Sequence, residues 1–321
     1  MKFVYYSLVL TSESTTYQKQ WLRSIRSLRQ FNQTIPVHLF VFNEPAKALL
    51  DLADLYEVTV HYLGSYSDCL RVIGGEAGAA LSGYIPTLNK LLPLEYVPAD
   101  VSQVLFLDCD TLFYGDVASL FQRYGDHKWY AREEPYSRRS PFLGYSPEIV
   151  DEDALYRIAS ATAAAPIPPY NTGVFMLNHG LWSELASLRK EFLSYAWRLT
   201  LGASRSPGIV LKRALKKTLV DLRTETQEAP IEFPSKHYWV IDGIAMSLTL
   251  GKLPGLSHGQ FRMEDVPQGG EFTIYRSYKS RCTVLHYLTG NELFLFNDNS
   301  DVEPSAASPL IHSWQTGLSK W

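Results

Sequence analysis

Two hydrophobic periods take turns along the first hundred or so residues. Residues 3–10 form an apolar, β-rich run, and the polar TSESTT that follows supplies turn and helix-cap side chains. Over residues 17–31 the apolar positions Trp21, Leu22, Ile25, Leu28 and Phe31 recur at three- and four-residue spacing, with arginines and glutamines between them. That spacing predicts a helix lying on a sheet. Residues 36–42 predict a second strand, Asn43 and Pro45 open a helix over 45–56, and residues 58–63 predict a third strand. Strand, helix, strand, helix, strand at these intervals predicts right-handed βαβ units and a doubly wound sheet, an architecture that often binds nucleotides.

Further along, the pattern is less regular. The glycine-rich stretch over 72–83 lacks both common phosphate-loop spacings and predicts a loop leading into the helix TLNKLL, which carries Lys90. A lone lysine on a helix is ordinarily solvated. Residues 104–107 are apolar without alternation and predict a strand buried on both faces. Residues 130–169 contain Arg138, Arg139, SATAAAP and PIPPY and predict loops and a short helix rather than sheet. Strand character returns over 170–178. Trp182, Leu185, Leu188, Phe192, Tyr195 and Leu199 then lie on one helical stripe. A basic amphipathic segment follows, with Lys212, Arg213, Lys216 and Lys217, usually a solvated face and less often a surface for an anionic acceptor or membrane. Residues 240–250 predict a short helix headed by Asp242, and residues 283–288 a last strand delivering His286. In the tail, Leu310, Trp314, Leu318 and Trp321 share one helical face.

The candidate chemistry sits where the apolar strand breaks into Asp108, Cys109 and Asp110. Side chains in a strand alternate, so the two aspartates face one way and the cysteine the other. Like charges at that distance repel, and a divalent cation between them resolves the conflict. Carboxylates at the carboxyl end of such a strand lie in the usual ligand crevice. Taken alone, D-x-D is equally a pair of solvated aspartates opening a turn.

Composition narrows the partners. A chain of 321 residues with 46% apolar content builds one large α/β domain or two smaller ones. A net charge of -3 gives no general attraction to nucleic acid. Three widely spaced cysteines, Cys69, Cys109 and Cys282, argue against a disulfide framework and for a reducing compartment. The opening MKFVYYSLVLTSE is too short and wrongly flanked for a signal peptide, and no run approaches the roughly 20 apolar residues of a spanning helix. The expectation is a cytoplasmic protein. Peripheral contact with the inner face of a membrane, or with a partner, would run through 209–219 or 309–321.

Five short motifs then fall in one order: TLNK, the strand ending in DCDTL, NTGVFMLN, the aspartate-headed IDGIAM, and HY in the last strand. Together they resemble the GT-A glycosyltransferases, most closely glycosyltransferase family 8, the group of glycogenin and the bacterial lipopolysaccharide hexosyltransferases. The resemblance covers residues 1–295 and implies a single α/β domain of GT-A type. Its Rossmann-like mixed central sheet would carry helices on both faces. Residues 1–100 would be the nucleotide half, 101–295 the metal and acceptor half, and 296–321 a tail.

By that resemblance Asp108, Asp110 and His286 hold Mn2+ or Mg2+ on the diphosphate of a UDP-sugar. Two carboxylates, an imidazole and phosphate oxygens suit octahedral Mn2+ better than Ca2+. Thr11 and Tyr17 would contact base and ribose, and Lys90 would bind the donor near phosphate or sugar. Asn171 would hydrogen-bond the donor sugar or the acceptor, and Asp242 would grip a sugar hydroxyl. The implied reaction moves a hexose to a hydroxyl of a glycan, lipid or protein, with retention of configuration. An inverting reaction would need a base, for which Asp242 is the candidate. Two positions depart from the family. Gly243 stands where members carry glutamine, and HYLTGNELF lacks the closing lysine, for which Arg71, Lys279 or Arg281 could substitute. Those losses keep open a catalytically inactive sugar-nucleotide-binding protein. A haloacid dehalogenase type phosphatase is a weaker alternative, because Thr111 directly follows the second aspartate.

Overall fold

The computed structural model describes residues 1–10, 15–83, 85–133, 150–203, 229–235, 238–267 and 282–286. A seven-stranded sheet organises them: β1 (Lys2–Val9), β2 (Val37–Phe42), β3 (Val58–Tyr62), β4 (Gln103–Leu107), β6 (Trp129–Glu133), β7 (Tyr170–Asn178) and β8 (His258–Gln260). Their order is β3-β2-β1-β4-β7-β6-β8, and a separate two-stranded sheet pairs β5 (Thr111–Phe113) with β9 (Val284–His286). The first four strands of the large sheet run parallel, β7 lies antiparallel to β4 and to β6, and β8 is parallel to β6. The sheet is therefore mixed, as expected.

Alternation along the strands feeds two cores. Phe3, Tyr5, Phe40, Phe42, Val104 and Phe106 face one side, where α3 (Tyr66–Leu81), α7 (Arg189–Ala203) and α8 (Ile241–Leu250) cover them. Val4, Tyr6, Leu39, Val41, Leu105 and Leu107 face the other, against Trp21, Ile25 and Leu28 of α1 (Thr15–Phe31) and against α2 (Lys47–Leu55). Of the stripe read over 17–31, Trp21, Ile25 and Leu28 are buried, Leu22 is half-buried and Phe31, in the last turn, is exposed; full burial of a leucine or isoleucine is worth about 1.5–3 kcal/mol.

Four expectations need correction. Residues 72–81 of the glycine-rich stretch are helical, forming the later part of α3, and Gly75 breaks that helix at φ +63°. Glycine lowers helix propensity, yet packing here selects it: a Cβ on Gly78 would meet the Leu70 carbonyl oxygen at 2.2 Å, and one on Gly74 would meet Leu193 of α7 at 3.1 Å. Residues 129–133 form β6, not loop, because they pair with β7 and with β8, a partner about 130 residues away. The stripe from Trp182 to Leu199 is shared by two helices, α6 (Leu181–Ser187) and α7, with Leu188 between them. TLNKLL falls in a 3-10 segment, Pro86–Tyr96. The short helix expected within 130–169 is α5 (Glu152–Ala161). The basic segment and the tail lie outside the described residues. Among the described residues no helix is long and apolar enough to cross a membrane.

Candidate functional site

The chain leaves β4 at Leu107 and is held at the turn from both sides. The Thr111 hydroxyl donates to the Asp108 carbonyl at 2.8 Å, and the Ser24 hydroxyl of α1 bonds Thr111 at 2.7 Å and the Tyr6 hydroxyl at 2.8 Å. On the other side the Asp108 N–H donates to the Gly173 carbonyl at 2.7 Å. Cys109 turns into the core shared with α1, and although residues 108–110 form a turn rather than strand, the two aspartates still face the same site.

Pairing of β5 with β9 sets Thr111 opposite His286, which places the imidazole beside the aspartates. His286 Nε2 lies 3.2 Å from Asp110 Oδ1 and 4.0 Å from Asp108 Oδ2. One ligand atom from each of Asp108, Asp110 and His286 lies within 4.8 Å of the others. Strand β9 is itself anchored: the Asp265 carbonyl accepts from the N–H groups of Thr283 and Val284, while the Asp265 carboxylate takes the Arg123 guanidinium and the Tyr124 hydroxyl.

The electrostatics favour a cation at this position. Burial pushes the Asp108 carboxyl up to about 6, with Lys90 opposing the rise and Asp110 adding to it. For Asp110 burial acts upward, but the charge and hydrogen bond of His286 hold it below the usual carboxylate range. Burial would lower His286, and the same Asp110 contact keeps it above the ordinary histidine value. The repulsion between the two buried carboxylates is what a divalent ion held between them would relieve. Two carboxylates and one imidazole are a donor set that Mn2+ or Mg2+ accepts.

Beside this cluster lies a buried lysine. Lys90 is 3% exposed. Its segment is tied to β1 by the Tyr5 hydroxyl on the Lys90 carbonyl and by a pair of bonds between Asn89 and Ser7. Its Nζ lies 3.1 Å from Asp108 Oδ2, 3.0 Å from Asp242 Oδ2, and 3.1 and 3.2 Å from the Thr172 hydroxyl and carbonyl oxygens. The Phe106 ring sits 5.7 Å from the ammonium. A buried charge persists only when paired in this way. Lys90 is therefore not the solvated helix lysine that its local sequence suggests. Asp242, in the first turn of α8, also accepts a 3.1 Å hydrogen bond from the Thr172 hydroxyl.

The structure thus brings Lys90, Asp108, Asp110, Asp242 and His286 to the carboxyl end of β4, with Asn171 adjoining. Asn171 is buried, and its side-chain oxygen accepts the Gly173 N–H at 3.0 Å. Tyr17 is 40% exposed in the first turn of α1. Burial and then the charges of Asp108 and Asp110 raise its phenol. Thr11 lies outside the described residues. Gly243 packs so that a Cβ would meet the Tyr170 carbonyl oxygen at 2.9 Å, which means that a side chain here displaces the first turn of α8 from β7.

Sequence reasoning passed over Thr172 and the steric role of Gly173. A Cβ on Gly173 would lie 2.0 Å from the His286 ring, so only glycine leaves room for the imidazole. The N-T-G triplet on a strand was the available signal, since glycine within a strand marks a bulge or a close approach.

No protein-family model and no curated protein matches the chain. Solved structures do. The chain superposes on the galactosyltransferase LgtC in complex with donor and acceptor sugar analogs, with a TM-score of 0.52 and 12% identity over 99% of this chain and 96% of that one. An active-site mutant of LgtC gives a TM-score of 0.53 at 12% identity, with 99% and 96% covered. The apo bifunctional glycosyltransferase WbbM gives 0.50 at 13% identity, covering 98% of this chain and 51% of that one. The chain shares the GT-A fold of these glycosyltransferases.

Proposed function

We propose that the chain is a metal-dependent glycosyltransferase. It moves a hexose from a UDP-sugar to a hydroxyl of a glycan, lipid or protein acceptor, with retention of configuration. The convergence of Asp108, Asp110 and His286 at the carboxyl end of β4 carries this reading, and the shared fold agrees with it.

Those three side chains would hold Mn2+ or Mg2+, which when bound neutralises charge developing on the departing diphosphate. The protein's own groups do the rest. Lys90 keeps a fixed positive charge beside Asp108 and adds to the field that favours the leaving group. Asp242 offers Oδ1 to a sugar hydroxyl while Oδ2 stays on Lys90 and Thr172. Tyr17 covers the nucleotide side. In a retaining transfer the acceptor attacks from the leaving-group face and the departing phosphate takes its proton, so no carboxylate base is required. That suits Asp242, whose Oδ2 is engaged by an ammonium and a hydroxyl donor.

A thermal-shift panel with UDP, GDP and their hexoses in the presence of Mn2+ tests the donor assignment, because a ligand that binds the native state raises Tm. UDP and a UDP-hexose are expected to raise it. A shift with GDP-sugars alone, or with none of the set, contradicts the assignment.

A further inference from the structure

The pairing of β6 with β7 jumps at the site. Ala131 lies opposite Phe175, yet the next residue, Arg132, lies opposite Asn171. Residues 172–174 are therefore extra on β7, and the parity of the strand changes across them: Tyr170 faces the same core as Phe175 and Leu177. Bulges of this kind occur next to active sites, where they re-aim side chains. Here the bulge turns Thr172 towards Lys90 and Asp242, and it sets Gly173 under His286.

Three polar atoms then form a nearly equilateral triangle. Lys90 Nζ to Thr172 Oγ1 is 3.1 Å, Thr172 Oγ1 to Asp242 Oδ2 is 3.1 Å, and Asp242 Oδ2 to Lys90 Nζ is 3.0 Å. The single hydroxyl proton goes to the carboxylate and a hydroxyl lone pair faces the ammonium, so each contact is charge-assisted. The Thr172 carbonyl takes a further ammonium contact at 3.2 Å. Thr172 is 4% exposed, so water does not replace the hydroxyl.

We propose that Thr172 is a positioning residue for the sugar half of the donor. Its hydroxyl sets the spacing and orientation of Lys90 and Asp242, which come from distant parts of the chain, before any sugar arrives. The proposal rests on the glycosyltransferase reading for its functional half and on the triangle itself for its structural half. Preorganisation of this type is lost when a supporting hydrogen bond is removed, even though the groups that contact substrate are intact.

Two variants and two measurements test it. Thr172→Val keeps the shape and removes the hydroxyl, whereas Thr172→Ser keeps the hydroxyl. First, calorimetric titration with Mn2+ present compares UDP with UDP-glucose and UDP-galactose. Thr172→Val is expected to bind UDP within about 2-fold of wild type and to lose about 10-fold or more in affinity for the UDP-hexose that wild type binds. Thr172→Ser is expected to restore most of that loss. Equal weakening of UDP and UDP-hexose, or no weakening of either, overturns the proposal, because a merely structural role does not separate sugar from nucleotide. Second, crystal structures of the ligand-free variants are expected to show the Lys90–Asp242 contact opened beyond its 3.0 Å in Thr172→Val and kept in Thr172→Ser. An unchanged contact in Thr172→Val overturns the proposal without reference to any donor. Failure of wild type to bind UDP or either UDP-hexose instead overturns the glycosyltransferase reading, and with it the functional half of this one.

Discussion

Gly173 of β7 lies directly against the imidazole of His286, so that a Cβ on the glycine would fall 2.0 Å from the ring. The histidine reaches Asp110 only because that position has no side chain. Gly173→Ala therefore forces the ring out or shifts β9, and overpacking of this kind costs about 1–3 kcal/mol. Binding of Mn2+ is expected to weaken about 10-fold or more, read by calorimetry alongside thermal unfolding. Wild-type affinity in a variant that stays folded would show that the imidazole has another way in.

Lys90 is the counter-ion of two carboxylates at once. In Lys90→Met the stem is kept and the charge is lost, which leaves Asp108 and Asp242 without their shared cation. Breaking such a buried pair from one side costs about 3–5 kcal/mol. Chemical denaturation is expected to show a loss of that size, and a change below about 1 kcal/mol would mean that the ammonium is solvated in solution.

The acidic cluster gives the metal response a definite pH sign. The folded-state values of Asp108, at about 6, and of His286 are raised. Their stabilising contribution to the metal-free protein is present below the unfolded values and is lost as pH rises through the folded ones. Asp110, held low, acts in the opposite sense and at lower pH. Metal ligands must shed their protons, so the Tm increment produced by saturating Mn2+ is expected to grow as pH rises from about 5.5 to about 8. An increment that is flat or falling over that range contradicts the assignment of His286 as a ligand.

A histidine pair links β2 and β3 away from the acidic cluster. His38 Nδ1 and His61 Nε2 are 3.0 Å apart, with His38 stacked on Phe3 and His61 on Phe40. Burial, and then His61, push His38 down from 6.5 to about 4. A depressed base contributes stability above its unfolded value and loses it as pH falls through the folded one. Stability carried by this pair is thus expected to fall from about pH 6.5 towards about pH 4. In His38→Asn the slope of Tm against pH in that window is expected to flatten, and an unchanged slope would assign the acid sensitivity elsewhere.

Much of this site was legible because its signals are local. The buried run over 104–107, the D-C-D break, the aspartate heading α8 and the histidine in β9 each follow from a short stretch of sequence. What stayed hidden depends on distant neighbours. Lys90 looks solvated within TLNKLL, and only the β4 and α8 carboxylates make it a buried cation. Residues 129–133 carry weak strand character, and their pairing with β7 and β8 is set by tertiary contacts. The glycines of α3 spoke for a loop, whereas close packing against α7 and the Leu70 carbonyl explains them within a helix. For Thr172 the glycine of the N-T-G triplet was the sole local hint, because a bulge that changes strand parity has no periodic signature.

The proposed reaction rests on Asp108, Asp110 and His286 holding the cation that serves a UDP-sugar. Its most direct measurement is UDP release from a UDP-hexose by wild type and by Asp110→Ala, each with Mn2+ and with chelator. The expected result is turnover by wild type with Mn2+ that disappears in chelator and drops about 100-fold or more in Asp110→Ala. Turnover that persists in Asp110→Ala and in chelator would rule out a metal-dependent transfer at this site.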